Sequence, residues 1–222
     1  CINVPHPAGI KLPPTEYPNT NSPSVSLYWF CKIKPYSSAA PPYTKSTEAF
    51  RKGINLEPEN EADYFYQLGK SHSGGGDYKQ AVFALRESIR LNPDFAATYF
   101  EMGRAFYNLY RFEESAQYFE RAVNSDQDYI EAHIQLAKTY EQLNELENSI
   151  NSYHEAIRIN SNNISTHFDI GLVYLNLQQF DNAISSFEKV LSLQPEYPEA
   201  FFQIGLAYYD LGESLIKDEN RI

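Results

Sequence analysis

The chain of 222 residues repeats one sequence pattern every 34 residues. The clearest sign of this repeat is a small residue that recurs at one position: Gly69, Gly103, Ala137, Gly171 and Gly205. A large apolar residue precedes each small residue, and a histidine or an aromatic residue follows three positions later. Because several independent positions recur in the same register, the repeat predicts a chain built from copies of one structural unit.

Each copy also contains a second set of recurring positions. Small residues recur at Ala81, Ser115, Ser149 and Ala183. Four residues later, large residues recur at Leu85, Phe119, Tyr153 and Phe187. Apolar residues spaced by three and four form one stripe on a helix, so each copy is expected to contain two amphipathic helices. Since one helix pair cannot bury its own apolar faces, the copies are expected to stack on one another.

These positions resemble the tetratricopeptide repeat family where its pattern is most specific. The segment from Phe65 to Pro93 carries the resemblance, and so does the segment from His167 to Pro195. The proline in each segment follows the second helix and ends it. The resemblance implies an all-α fold, a right-handed superhelical solenoid of antiparallel helix pairs, and a role in protein binding.

The resemblance covers about residues 62–222. We expect four full repeats, at residues 62–95, 96–129, 130–163 and 164–197, and then a partial repeat or capping helix at 198–222. We also expect a degenerate repeat at residues 27–61, with Thr47–Leu56 as its second helix. In the first full repeat the run Ser73–Gly76 predicts a looser turn, because glycine weakens helix ends.

The segment before the repeats has a different composition. Residues 1–44 contain nine of the 13 prolines and carry three lysines against one glutamate, a net charge of +2. Proline lacks a backbone donor and blocks helix interiors, so residues 1–26 are expected to form an extended Pro-rich arm. Cys1 has two interpretations: a lipidated cysteine left after signal cleavage, or the accidental start of a fragment. Cys1 and Cys31 are too few for a disulfide framework or a four-cysteine zinc site.

The overall charge argues against two classes of function. Acidic residues outnumber basic residues by 29 to 18, which gives a net charge of -11, so a phosphate-binding surface for nucleic acid is not expected. No run of about 18 apolar residues is present, so the sequence contains no membrane-spanning segment. Contact with a membrane is expected only through a lipid on Cys1. The compartment is otherwise open: extracytoplasmic and membrane-anchored if Cys1 is lipidated, and cytoplasmic if it is not.

Motifs for catalysis are also missing from the sequence. The glycine run 74–76 has no Gly-Lys-Ser/Thr after it, so it is not a phosphate-binding loop. His133 and His167 occupy an aromatic packing column, which favours a structural role over metal binding. No Gly-x-Ser-x-Gly motif marks a nucleophile. We therefore expect no enzyme activity, no cofactor and no metal.

The resemblance implies that the first helices of successive repeats line a concave groove in which ligands lie. The candidate groove residues are Tyr66, Lys70, Phe100, Glu101, Arg104, Tyr107, Asn108, Gln135, Lys138, Phe168, Asp169, Asn176, Phe202 and Gln203. Lys70, Arg104 and Lys138 are each one repeat period apart and predict a basic ladder that would pair with carboxylates or carbonyls of a peptide. Alternatively, this ladder is a solvated face that Glu101, Glu131 and Asp169 neutralise.

The sequence therefore predicts a protein-interaction scaffold or adaptor that binds an extended peptide or a partner helix in its groove. Three alternatives stay open. The chain could be a lipid-anchored envelope lipoprotein that assists the assembly of a surface structure. It could be a homo-oligomer that assembles through its N-terminal arm or its terminal repeat. It could also be a regulatory fragment of a multidomain enzyme.

Overall fold

A computed structural model of the chain describes residues 43–219. The predictions that concern the Pro-rich arm, Cys1, Cys31 and the first helix of the degenerate repeat lie outside these residues. In the described part, helices follow one another without any strand.

Ten α-helices account for most of the described chain, with one short 3₁₀ turn at Pro58–Asn60. In chain order they are α1 (Tyr43–Leu56), α2 (Glu61–Gly74), α3 (Tyr78–Leu91), α4 (Ala96–Asn108), α5 (Phe112–Ser125), α6 (Ile130–Gln142), α7 (Leu146–Ile159), α8 (Ile164–Asn176), α9 (Phe180–Leu193) and α10 (Pro198–Glu219). From α2 to α9 they form four antiparallel pairs that stack as a right-handed solenoid, so the predicted fold is confirmed. The helix predicted at Thr47–Leu56 is α1, which begins earlier, at Tyr43.

The turn inside each helix pair has one backbone geometry. The residue at its end takes a positive φ of 58–78° in all four pairs: Gly76, Tyr110, Asn144 and Gln178. In the first pair the next amide, that of Asp77, donates to the carbonyl of His72 at 2.9 Å, and the other three pairs make the equivalent bond at 2.8–3.0 Å. The same bond closes the glycine-rich turn at Ser73–Gly76 as closes its counterparts, and the expected looseness of this turn stays a prediction.

Small residues on the first helix of a pair admit large residues from the second helix. A Cβ atom at Gly103 would lie 2.7 Å from the ring of Phe119, and one at Gly171 would lie 2.6 Å from the ring of Phe187. Both phenylalanine side chains are fully buried. Because a methyl group has no room at these two positions, glycine sets the distance between the paired helices.

Aromatic contacts join one repeat to the next. Tyr66 meets Phe95, Phe100 meets Tyr129, and Phe168 meets Tyr197, with ring centroids 4.9–5.4 Å apart. In each contact the first ring comes from the first helix of a repeat, and the second ring directly precedes the next repeat. These edge and tilted contacts stabilise the stack by about 0.5–1.5 kcal/mol each beyond the burial of their area.

The column that contains the two histidines is a structural one. Tyr99, His133 and His167 are buried, and each bonds through its polar tip to a backbone carbonyl six residues earlier, at 2.8–3.0 Å. The accepting carbonyls precede the first helix of the same repeat, so the bonds fix how the chain enters that helix. The predicted packing role of His133 and His167 agrees with these positions, and their Nε2 atoms are engaged.

The last helix, α10, differs from the earlier first helices. It continues through Gly212 to Glu219, so residues 198–219 form one helix of 22 residues. Within the described residues no second helix covers it, and a Cβ at Gly205 would meet nothing within 4 Å. Phe201 and Tyr208, which occupy the positions where earlier repeats contact their own second helices, are therefore more than half exposed.

Candidate functional site

The first helices of the repeats, α2, α4, α6, α8 and α10, present one continuous face, here called the first-helix surface. Its geometry is fixed by two observations. The ammonium of Lys138 on α6 lies 3.0 Å from the carboxylate of Asp169 on α8. A cavity beside this pair is lined by residues of α4, α6, α7 and α8. The cavity residues belong to two sets of equivalent repeat positions, here called repeat columns: Tyr107 and Glu141 form one column, and Lys138 and Leu172 form the other. The first-helix surface is defined along its length by these two columns.

The N-terminal part of the first-helix surface carries cations over aromatic rings. The Lys70 ammonium lies 5.3 Å from the ring centroid of Tyr66, and the Arg104 guanidinium lies 5.8 Å from that of Phe100. Each such contact contributes about 0.5–1 kcal/mol at an exposed site. The long side chains are therefore held against the surface, and their charges remain accessible to a ligand.

Glu101 has a different role from the predicted ligand contact. Its side chain is 7% exposed, and both of its carboxylate oxygens accept hydrogen bonds from Arg104, at 3.1 and 3.2 Å. Asn108 in turn donates from its amide to the backbone carbonyl of Arg104 at 2.8 Å. Glu101 therefore holds Arg104 in place from below and offers a ligand almost no surface.

The basic ladder is largely neutralised by the protein itself. Arg104 pairs with Glu101, and Lys138 pairs with Asp169 of the next repeat. Among the described residues, Lys70 makes no ion pair. The alternative interpretation, a basic ladder neutralised by its acidic neighbours, therefore describes Arg104 and Lys138. Of the three ladder residues, only Lys70 offers an unneutralised positive charge.

The predicted aromatic groove residues divide into two groups. Tyr66, Phe100 and Phe168 are half-buried, because much of each ring packs into the junction with the next repeat. Phe202 is 64% exposed, because its neighbour on the C-terminal side is missing from the described residues. Of the remaining candidates, Asn176 is exposed and Tyr107, Gln135 and Gln203 are half-buried.

The cavity has a volume of about 240 Å³ and is mostly polar. Its lining consists of Tyr107, Lys138, Glu141, Gln142, Tyr153, Asp169 and Leu172. The sequence prediction missed Glu141, Gln142, Tyr153 and Leu172. Two of them could have been predicted from the repeat, because Glu141 lies one repeat period after the candidate Tyr107, and Leu172 lies one period after the candidate Lys138.

A partly buried hydrogen bond forms the floor of this cavity. The hydroxyl of Tyr153, which is fully buried, donates to Oε1 of Glu141 at 2.6 Å. Burial raises the pKa of the Glu141 carboxyl, and the nearby Asp169 raises it further, while the hydrogen bond from Tyr153 and the charge of Lys138 act in the opposite direction. Burial and the bond to the carboxylate raise the pKa of Tyr153, so it remains a donor at all ordinary pH values.

The C-terminal part of the first-helix surface is apolar. Leu172 lies at the edge of the cavity, and Leu206 occupies the same repeat column one repeat later. Tyr209, which is 66% exposed, continues the column of Tyr107 and Glu141. Together with Phe202 these side chains expose an apolar patch that has no equivalent on α2 or α4.

Two other kinds of site are absent from the described residues. No group of three or more histidine, cysteine, aspartate or glutamate side chains is arranged there to hold a metal ion. Of the described helices, none combines the length and the apolar character that crossing a bilayer requires.

A stack of helix pairs with an open first-helix surface defines an α-helical repeat solenoid, a class of interaction scaffold. Models of the family match most of this solenoid: one described as TPR repeat matches residues 142–178 and 173–212, and one described as tetratricopeptide repeat matches residues 66–130. The chain belongs to the tetratricopeptide repeat family, and it is a protein-interaction scaffold of a family that is typically non-enzymatic.

Known proteins share parts of this chain at low identity. The small glutamine-rich tetratricopeptide repeat-containing protein 2 of Mycosarcoma maydis is 26% identical over 88 residues, which are 40% of this chain and 25% of that protein. The match thus spans about a quarter of the length of that relative.

Two solved structures show the same fold. The crystal structure of MamA superposes with a TM-score of 0.62 at 24% identity and covers 69% of this chain and 96% of that chain. The crystal structure of YrrB superposes with a TM-score of 0.66 at 21% identity and covers 75% and 85%. YrrB is described as a TPR protein with an unusual peptide-binding site.

Proposed function

We propose that this protein is a non-catalytic scaffold that binds an extended peptide segment along its first-helix surface, from Lys70 to Tyr209. One observation carries the proposal: a polar cavity and an exposed apolar patch lie side by side on the same face. A peptide that crosses them would bury apolar side chains on the patch and place a polar group in the cavity. That combination is typical of peptide-binding grooves.

The composition of the surface supports a peptide more than a small molecule. A cavity of about 240 Å³ is below the range of roughly 300–1,000 Å³ that is usual for complete small-molecule sites. It suits one side chain of a longer ligand, whose other contacts would lie on Leu172, Leu206 and Tyr209. The peptide-binding site described for YrrB, which shares the fold, is consistent with this reasoning.

A selection from a displayed library of random twelve-residue peptides on the full chain tests the proposal. Peptides that bind the wild type are then measured on a Leu172→Ser/Tyr209→Ser variant by fluorescence polarisation. We expect their affinity to fall about tenfold or more, because the variant removes two apolar contacts from the surface. The matched control is Phe83→Ser, which removes an exposed aromatic residue of similar exposure from the second helix α3.

The control variant decides the location of the binding site. If Phe83→Ser binds like the wild type and Leu172→Ser/Tyr209→Ser does not, the first-helix surface is the site. If both variants bind the selected peptides as the wild type does, the proposed location is wrong. If the wild type selects no peptide, peptide binding itself is refuted.

Self-association through α10 is a second candidate function, and its exposed flank favours it. Phe201 and Tyr208 lie on the flank that earlier repeats cover with their own second helices, and Gly205 between them leaves room for an inserted side chain. Sedimentation velocity of the full chain should then show a concentration-dependent dimer or larger species that Phe201→Ser/Tyr208→Ser abolishes. A wild type that stays monomeric at high concentration would exclude this function.

The arm and the cysteine remain separate proposals. If residues 1–26 join copies of the chain, their deletion should lower the assembly mass, whereas an unchanged mass would reject that role. If Cys1 is lipidated, mass spectrometry of the protein isolated from its source should show an acylated Cys1, whereas an unmodified Cys1 would reject the lipoprotein.

A further inference from the structure

The cavity on the first-helix surface has an excess of negative charge. Two carboxylates, Glu141 and Asp169, face a single ammonium, Lys138. Lys138 lies 3.0 Å from Asp169 and is committed to that ion pair. Glu141 and Asp169 therefore share the one cation that lines the cavity.

The carboxylate of Glu141 also has unused hydrogen-bonding capacity. A carboxylate offers about four acceptor positions, and the structure fills one of them, with the hydroxyl of Tyr153 at 2.6 Å. Partial burial opposes the ionised form and raises the pKa of this carboxyl. A cation brought by a ligand would pair with this carboxylate and donate hydrogen bonds to it.

The walls of the cavity suit the remainder of a long basic side chain. Leu172 forms an apolar edge against which an aliphatic stem can pack, and the ring of Tyr107 lines the same cavity. Gln142 adds a side-chain carbonyl that can accept a hydrogen bond. A volume of about 240 Å³ accommodates the end of one side chain.

From these contacts we propose that the cavity is the subsite for an arginine or lysine side chain of the bound peptide, with Glu141 as its principal anion. The inference rests on the proposed function, since it names the chemistry of one position of that peptide. An acidic side chain is disfavoured, because it would add a third carboxylate beside two that share one ammonium. The basic ladder predicts from sequence that the ligand carries carboxylates or carbonyls, whereas this subsite prefers a basic side chain.

Peptide pools with one fixed residue test the subsite. Four pools of twelve-residue peptides, each with arginine, lysine, glutamine or glutamate fixed at one position and the other positions random, are measured on the full chain. We expect the arginine and lysine pools to bind the wild type about tenfold better than the glutamine pool, with the fixed residue at the position that fills the cavity. The glutamate pool should bind most weakly.

Two isosteric variants test whether Glu141 is responsible. Glu141→Gln keeps an acceptor for Tyr153 and removes the charge, so it should abolish the difference between basic and glutamine pools and leave the glutamine pool unaffected. Glu131→Gln is the matched control, because Glu131 is an exposed glutamate of the same helix, α6, outside the cavity lining. It should keep the preference of the wild type. Thermal melts of both variants establish that each is folded.

A pH series on the wild type gives a second readout that requires no variant to fold. As the pH falls through the raised pKa of Glu141, this carboxyl takes up a proton and the advantage of the basic pools should disappear. The titratable groups that share the cavity with Glu141 are Tyr107 from α4, Tyr153 from α7, Asp169 from α8 and Lys138 from its own helix. The comparison with Glu141→Gln separates the contribution of Glu141 from those of the other groups.

The outcomes distinguish the subsite from the proposed function. If peptides bind the first-helix surface but the pools show no basic preference, a preference for glutamate, or a basic preference that Glu141→Gln retains, the subsite proposal is wrong and peptide binding stands. If no pool binds the wild type, both proposals are wrong.

Discussion

The repeated small residue of the first helix permits a test in which one substitution has opposite effects at two positions of the same column. Gly171 and Gly205 occupy this column in successive repeats, and both lie inside helices. A Cβ at Gly171 would lie 2.6 Å from Cε1 and 2.8 Å from Cζ of Phe187, whereas a Cβ at Gly205 would meet nothing within 4 Å. The substitutions Gly171→Ala and Gly205→Ala therefore differ in their steric environment.

The expected magnitudes follow from two opposing contributions. Alanine is favoured over glycine inside a helix by about 0.5–1 kcal/mol, so Gly205→Ala should raise the free energy of unfolding by about that amount. Gly171→Ala gains the same contribution but overpacks the core, which typically costs about 1–3 kcal/mol. The net effect should be a loss of about 1 kcal/mol. The ring of Phe187 cannot move away easily, because it is fully buried and packs against Phe168 at 5.4 Å between centroids.

Urea unfolding followed by far-UV circular dichroism measures both variants against the wild type. The difference between them, about 1–3 kcal/mol, isolates the steric contribution, since the helix-propensity contribution is common to both. The third repeat shows that alanine suits the backbone of this column, because Ala137 is buried there beside Tyr153. If Gly171→Ala were stabilised as much as Gly205→Ala, the argument that glycine sets the helix spacing would be refuted.

Three further predictions concern the core and the cavity floor. Phe119→Ala should lower the free energy of unfolding by about 3–5 kcal/mol in urea, because it empties the space beside a fully buried ring. Tyr153→Phe should cost about 1–3 kcal/mol by leaving the half-buried carboxylate of Glu141 without its donor. Tyr140→Phe should cost less in the same titration, because the Tyr140 hydroxyl bonds the exposed Glu120, at 2.6 Å. Burial raises the pKa of Glu141 above 4.5, so between these two pKa values the folded chain holds a proton that the unfolded chain has released. The contribution of protonated Glu141 to the free energy of unfolding is therefore present below pH 4.5 and is lost as the pH rises through the raised pKa. Thermal melts across this range should show that Glu141→Gln removes the dependence, and an unchanged slope in that variant would assign it to another group.

The fold could be predicted from sequence because its determinants are local and repeated. Each small residue on a first helix is matched by a large residue sixteen positions later, as in Gly103 and Phe119 or Gly171 and Phe187. Every repeat requires this pairing of a small and a large residue, so the same pattern recurs several times in the sequence. The turn at Gly76 shows the limit of composition, since three glycines in a row do not indicate that its last residue takes the same positive φ as Tyr110 and Asn144.

The repeat positions predict which residues lie on the first-helix surface, but not the contacts that these residues make with other helices. Register placed Lys138 on the first-helix surface, but its partner Asp169 comes from the next repeat, and that distance depends on how the repeats stack. Register also put Glu101 and Gln135 in one column, although Glu101 is buried beneath Arg104 and Gln135 is half-buried. The burial of Glu141 depends on Tyr153 from a second helix, which a reading of the first helices alone does not include.

The two faces of α10 show why one short segment can serve two functions without conflict. Tyr208 and Tyr209 are adjacent and similarly exposed, at 57% and 66%. Tyr208 continues the column of Phe106 and Tyr174, which faces the second helix of a repeat, whereas Tyr209 continues the column of Tyr107 on the first-helix surface. Neighbouring residues on a helix point about 100° apart, so a ligand on one face leaves the other available. If both proposals hold, peptide binding and self-association draw on different side chains of the same helix, and substitutions at Tyr208 and Tyr209 affect them independently.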